Sequence, residues 1–234
     1  SGDPVTFGYP ASRLVITQML KGAKDEQIAA IISSALEGTP AYDRTNGPLH
    51  QGFTGWEGFL DLVQSNGGNP GADALVAQWV TGNSSWRAGR TEKRTMYAAL
   101  DKADGNWLPP LALRRAMTKW QFDLAEKYLG KLKAVAPQAK AVQDASSAGG
   151  LPVPGAVVAL YEAADSDAQI AALATVLPEA KAAIDSVAGA VRADGAERNP
   201  FAELGARLQG VKGELATATT ALNAAQLPLA RTSG

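Results

Sequence analysis

Tyr9 and His50 carry the side chains of this sequence best suited to proton transfer or to stabilising a developing negative charge. Tyr9 stands between Gly8 and Pro10 at the start of a predicted helix, where its phenol could donate a hydrogen bond to an oxyanion. On spacing alone, a core or capping aromatic is the favoured interpretation. His50 lies in a predicted loop with no carboxylate at helical spacing, so a surface or hydrogen-bonded loop histidine is favoured over a proton donor or lone metal ligand. No catalytic constellation is complete.

Metal and thiol chemistry are limited by composition. The chain has one histidine and no cysteine, which excludes disulfides, thiol catalysis and sulfur-ligated metal. Zinc enzymes of the usual kinds bring two or three imidazoles, or imidazoles with carboxylates, to one place. The carboxylates are scattered, and no pair such as Asp61 with Asp73 is held by helical spacing well enough to propose a general acid and base. We therefore predict no metal site and no cofactor in this chain alone.

The five tryptophans could suggest a carbohydrate platform, but their spacing favours packing. Three of them lie in apolar helical stripes and are predicted to be core residues, namely Trp56, Trp79 and Trp120. The other two, Trp86 and Trp107, lie at predicted helix entrances and are expected to be more exposed.

The charge balance gives no electrostatic argument for binding nucleic acid or an anionic membrane, because the formal net charge is −1. A local basic run is interrupted by Glu92, and we interpret it as a solvated helix face rather than a binding patch. Its members are Arg87, Arg90, Lys93 and Arg94. No run of about 18 apolar residues is present, so no membrane span is predicted.

Helical patterns fill most of the chain. Residues 53–80 predict two short helices joined by a glycine turn, with Thr54 and Glu57 forming a capping box at the first. A loop is expected at residues 1–8, a helix from there to about Lys21, and a single long helix over about 111–134. Alternating strand patterns are essentially missing. The predicted fold class is all-α, a multi-helix bundle.

Composition divides the chain near residue 135. Every tryptophan lies at or before Trp120, and alanine dominates the later part. We predict an aromatic-rich helical domain at residues 1–134. Residues 135–234 are predicted to form an alanine-rich helical hairpin or coiled segment with close helix contacts, serving as a spacer or interaction region.

Three stretches carry a family resemblance. They are residues 9–20 (YPASRLVITQML), 56–63 (WEGFLDLV) and 77–80 (AQWV). In order and spacing, residues 7–82 resemble the helical region that follows the zinc site in thermolysin-like zinc aminopeptidases, the gluzincin group. In that family the tyrosine that begins the first helix stabilises the tetrahedral intermediate, so the resemblance implies this role for Tyr9. The His-Glu-x-x-His helix and downstream glutamate that bind the zinc are absent from this sequence, so the resemblance implies a zinc domain outside it.

Three functions remain open. The first is a noncatalytic, C-terminal helical region of a larger, bacterial and extracytoplasmic or membrane-tethered gluzincin-like peptidase, which shapes substrate access or spaces the enzyme from a membrane. The start Ser-Gly-Asp-Pro, without methionine, favours an excised segment of a longer protein over a processed start. The second is a helical protein-interaction or spacer module without enzymatic activity. The third is a small-molecule-binding helical domain. The expected partner is the upstream catalytic domain or another protein.

Overall fold

The structure is a computed structural model that describes residues 4–43, 49, 54–194, 210 and 213, with only the backbone at 4–11 and 194. Within those residues it contains ten α-helices, one π-helical turn and no β-strand. The all-α prediction is therefore confirmed. The helices are α1 (Pro4–Leu20), α2 (Asp25–Glu37), α3 (Trp56–Ser65), α4 (Ala72–Val76), α5 (Trp86–Ala103), α6 (Leu111–Thr118), α7 (Phe122–Leu132), α8 (Ala136–Gly149), α9 (Gly155–Ala163) and α10 (Asp167–Asp194), and the π-helical turn is Ala77–Thr81.

The chain divides into two compact units, each made of two separate stretches of sequence. Unit 1 contains residues 1–98 and 112–128, and unit 2 contains residues 99–111 and 129–234. The residues of α5 are thus shared between the units. The predicted division at 134/135 remains a prediction.

Unit 1 is built around a core to which α1, α2, α3 and α4 contribute. Its fully buried members are Met19, Ile31, Leu60, Leu62, Val63, Ala72 and Val76. The turn after α3 fixes the end of α1, because the Asn69 amide donates to the Met19 carbonyl at 2.9 Å and its side-chain amide to the Gln18 carbonyl at 3.0 Å. A Cβ on Gly68 would lie 2.5 Å from Val63 Cγ1, so the approach of this turn to α3 requires glycine.

Unit 2 contains the alanine-rich helices α8, α9 and α10. A Cβ placed on Gly149 of α8 would lie 2.7 Å from the Cβ of Ala188 on α10, so these helices approach closely where both side chains are small. Tyr161 and Leu177 are completely buried in this unit. The predicted close helix contacts are therefore observed in the described part of the alanine-rich half.

The starts of two helices differ from the sequence prediction. Residues 4–8 were expected to be loop, but α1 begins at Pro4, where the missing proline N–H costs nothing in a first turn. Gly55, not Thr54, precedes α3, and no side chain caps that helix. The methyl carbon of Thr54 instead lies 2.7 Å from the place of a Gly58 Cβ, against the first turn.

The helix expected over 111–134 is divided into α6 and α7 by a corner at Trp120, whose φ is +50°. This is the only non-glycine residue with positive φ among those described. A left-handed residue cannot continue an α-helix, so the apolar periodicity across the corner was misleading.

Candidate functional site

The two residues singled out from the sequence are not placed by the structure. The backbone of Tyr9 belongs to α1, in the second turn of the helix rather than at its start, and its side chain lies outside the described residues. His50 also lies outside them, as does Phe53. The proposed roles of Tyr9 and His50 therefore remain predictions.

The most concentrated polar chemistry of unit 1 surrounds Asp61, which lies on α3 with its side chain 2 % exposed. Arg90 and Arg94 of α5 both donate to Oδ1, the latter at 3.0 Å. The indole Nε1 of Trp120 donates to Oδ2 at 2.9 Å. Both carboxylate oxygens are therefore held by donors from other parts of the chain.

The three arginines of this site come from one helix. Arg87, Arg90 and Arg94 are three and four residues apart on α5, a spacing that places them along one helix face. Arg87 Nε pairs with Asp73 Oδ2 at 2.8 Å, and Arg90 Nη1 donates to Gln64 Oε1 at 2.6 Å. Asp61 and Asp73 thus each form an ion pair with an arginine of α5.

Arg90 is almost fully buried, and an aromatic ring covers it. Its guanidinium carbon lies 5.1 Å from the ring centroid of Trp120, within the range of a cation–π interaction. The same tryptophan holds the other side of Asp61. One side chain therefore contacts both members of the buried ion pair.

Trp120 reaches this position from a strained backbone. The Gln121 amide donates to the Ala116 carbonyl at 2.9 Å and the Trp120 amide to the Met117 carbonyl at 3.1 Å, which is the Schellman pattern at the end of α6. Glycine normally occupies the left-handed position of that pattern, and a bulkier residue costs about 1–2 kcal/mol. The contacts of Trp120 with Asp61 and Arg90 offset this cost.

Tyr42 and Ser65 contact Arg94, the more exposed of the two arginines that bind Asp61. Arg94 Nη1 donates to the Tyr42 hydroxyl at 3.0 Å, and Nη2 donates to Ser65 Oγ at 3.3 Å. Burial, and then the negative charge of Asp61, raise the pKa of the Tyr42 phenol well above its usual value. Its ring also makes an edge contact with Tyr97 at 5.0 Å between centroids. The Tyr42 hydroxyl therefore keeps its proton throughout the physiological pH range.

The basic run on α5 is not the solvated face predicted from the sequence. Arg90 is 1 % and Lys93 5 % exposed. Lys93 Nζ lies 2.9 Å from Glu126, and this hydrogen bond raises the pKa of the lysine. The interrupting Glu92 suggested surface, but charged residues can be buried when each finds a partner.

The tryptophan predictions are partly wrong. Trp56 and Trp120 pack with Trp86 in one cluster, with ring centroids 5.1–5.8 Å apart. Trp86, expected to be exposed, is half-buried in that cluster. In unit 2, Trp107 is 6 % exposed and lies 5.4 Å from the Tyr161 ring, also against expectation.

Trp79, expected in the core, is 65 % exposed. It lies in the π-helical turn that follows α4, where the wider turn departs from the α-helical phase that would place it with Leu75 and Val76.

Unit 2 has a smaller polar centre of its own. The Tyr161 hydroxyl donates to Asp104 Oδ2 at 2.9 Å, and both residues are buried. Gln143 Nε2 donates to the Asp104 carbonyl, and Glu162 accepts the Leu108 amide. These bonds hold the segment after α5, and they show an acid committed to structure rather than placed for proton transfer.

In the part of the chain that the structure describes, no three His, Cys, Asp or Glu side chains come together in a way that could hold a metal ion. The residues present there do not supply the zinc ligands that the gluzincin resemblance implies. Among the described helices, none is long and apolar enough to cross a membrane. Comparison with protein-family models, curated proteins and solved structures gave no significant match.

Proposed function

We propose that this chain is a noncatalytic helical region of a larger gluzincin-like peptidase, and that it docks on the catalytic domain through unit 1. The observation that carries the docking role is a set of large apolar side chains that unit 1 leaves exposed. They are Leu14 and Ile16 on α1, Ile32 and Leu36 on α2, and Trp79 and Val80 in the π-helical turn.

The exposure is substantial where the helices are well formed. Leu36 is 66 % and Leu14 62 % exposed. Ile32 and Leu36 are four residues apart on α2 and so are neighbours on one face. Scattered exposed apolar residues are normal, but several large ones in a single unit favour a surface that binds protein.

The Asp61 cluster supports a scaffold role for unit 1. The Asp61 carboxylate accepts hydrogen bonds from three side chains. These bonds keep α3, α5 and the α6–α7 corner in place. In the proposed parent, α1 would present Tyr9 to the substrate, where its phenol would donate to the developing oxyanion. The extracytoplasmic location, the spacing from a membrane and the bacterial origin belong to the same proposal.

The second candidate is a protein-interaction or spacer module with no enzymatic activity. The same exposed side chains support it, because a docking surface does not reveal whether its partner is a catalytic domain. The reading frame of the parent discriminates the two: a His-Glu-x-x-His helix encoded upstream is expected for the first, and a start codon immediately before Ser1 contradicts it.

Docking is tested by combining Ile32→Asp with Leu36→Asp in the chain and measuring its binding to the separately produced upstream polypeptide. We expect a loss of binding of at least about tenfold, because two buried apolar contacts would be replaced by charges. Ala30→Asp is the matched control, since Ala30 is exposed on α2 about 200° around the helix from Ile32. Equal binding by both variants contradicts the docking surface. Self-association in place of binding upstream favours the second candidate.

The catalytic link is tested with Tyr9→Phe in the full-length parent. We expect the turnover rate to fall about a hundredfold, as for loss of one oxyanion donor, with the helix content unchanged. Tyr128→Phe supplies the control, because Tyr128 is a half-buried tyrosine on α7 remote in sequence from α1. Unaltered turnover in Tyr9→Phe refutes the role of the phenol.

A further inference from the structure

We propose that Arg94, Ser65 and Tyr42 form a binding site for a small oxyanion, a phosphate or carboxylate group. The two hydroxyls lie 3.0 Å and 3.3 Å from the guanidinium nitrogens of Arg94, so three groups able to donate hydrogen bonds meet at one place. The inference concerns residues other than the exposed apolar side chains and does not rest on the proposed function.

The described residues do not balance the positive charge around Arg94. Among the described residues, Asp61 is the one carboxylate within ion-pair distance of Arg90 or of Arg94. Two buried or largely buried cations therefore share one anion, and the pairing leaves one positive charge in excess. A second anion beside Arg94 would neutralise it.

The hydroxyls of Tyr42 and Ser65 can donate hydrogen bonds to a bound anion. Each accepts a hydrogen bond from Arg94, and neither Tyr42 nor Ser65 donates its own hydroxyl proton to an acceptor in the described structure. The raised pKa of Tyr42 keeps that proton in place. A donor that already accepts from a cation is polarised and gives a stronger bond to an anion.

The site is open to solvent on one side. Ser65 is exposed at the end of α3, and the Arg94 side chain is 20 % exposed to solvent. Arg90, in contrast, is closed off beneath Trp120. Arg94 is therefore the arginine that an anion in solution can reach. The planar guanidinium with flanking hydroxyls suits an ion with two or more oxygens.

The test is a titration of the whole chain with inorganic phosphate, read by isothermal calorimetry and by the melting temperature at pH 7, with sodium chloride at matched ionic strength as reference. We expect saturable binding and a rise in melting temperature that chloride does not reproduce. A parallel titration with acetate tells a carboxylate site from a phosphate site, and saturation by either one supports the proposal.

Two variants assign the site. Ser65→Ala and Tyr42→Phe are each expected to weaken binding roughly tenfold, the effect of losing one hydrogen bond to a charged group. Thr95→Ala, which removes an exposed hydroxyl elsewhere on α5, is expected to leave the dissociation constant unchanged. Ser65 is exposed, so its variant folds even if the change at Tyr42 harms the core. An unchanged dissociation constant in Ser65→Ala, or phosphate and acetate acting no differently from chloride, overturns the proposal.

Discussion

Replacing Asp61 with asparagine tests whether the buried ion cluster holds unit 1 together. The substitution keeps the shape of the side chain but removes the negative charge that faces Arg90 and Arg94. Arg90 would then be buried without a counter-charge, since its side chain is only 2 % exposed. Breaking a buried pair by removing one partner costs about 3–5 kcal/mol. We expect Asp61→Asn to lower the free energy of unfolding by about that amount.

The assay is urea-induced unfolding followed by tryptophan fluorescence. Four of the five tryptophans belong to unit 1 (Trp56, Trp79, Trp86 and Trp120), so the signal reports mainly on that unit. The control is Glu92→Gln, the same loss of charge at a carboxylate whose side chain is 63 % exposed. Its effect should stay within about 0.5 kcal/mol.

A double variant separates the charge from the packing. Asp61→Leu with Arg90→Met replaces the pair by apolar side chains, which is often neutral or stabilising relative to the broken pair. We expect it to be more stable than Asp61→Asn. If Asp61→Asn costs less than about 1 kcal/mol, or no more than Glu92→Gln, then the cluster does not act as the scaffold we describe.

The remaining predictions concern the partners of Asp61. Trp120→Phe removes the indole donor but keeps a ring over Arg90 and the same backbone strain, so we expect a loss of about 1–3 kcal/mol in the same urea assay; an unchanged midpoint would show that the Nε1 bond contributes nothing. The raised pKa of Tyr42 means that above pH 10 the unfolded chain loses its phenolic proton while the folded chain retains it, so stability falls by about 1.4 kcal/mol per pH unit. Tyr42→Phe should remove this contribution to the fall in the free energy of unfolding between pH 10 and 11. The smaller loss that follows from the raised pKa of Lys93 should remain. An unaltered pH dependence would contradict the burial of the phenol.

The ends of several helices could be predicted because they depend on local chemistry. Gly38 ends α2 with a φ of +73°, the left-handed conformation that favours glycine. Trp86, predicted to lie at a helix entrance, is the first residue of α5. In these places the sequence neighbours of a residue determine its conformation, so no knowledge of distant contacts is needed.

The Asp61 cluster could not be read from those local rules. Leu60, Asp61, Leu62 and Val63 are consecutive and all buried, which means that α3 is covered on more than one face. The apolar stripe that contains Trp56 indicated one buried face, and helical spacing assigned no partner to Asp61. One signal was available: arginines three and four residues apart on α5 indicate a common face that an acid elsewhere could pair with.

The predictions of a buried Trp79 and of an unbroken helix through Trp120 failed for a different reason. Both predictions assumed uninterrupted α-helical periodicity, but a π-helical turn intervenes at the first and a left-handed residue at the second. Neither Ala77–Thr81 nor the corner contains the glycine or proline that would normally mark a change of conformation. Their backbone shape depends on tertiary contacts, so periodicity alone could not supply it.

The bond between Trp120 and Asp61 also bears on how the protein is made. A ribosome adds roughly 5–20 residues per second, so the 59 residues between them take about 3–12 seconds to synthesise. In the later part of that interval, once Arg94 has been added, the nascent chain contains Asp61 and its arginines but lacks the indole that closes over them. Unit 1 therefore cannot complete its core before Trp120 has been made, and a product released earlier would expose its unfinished interior to chaperones and proteases.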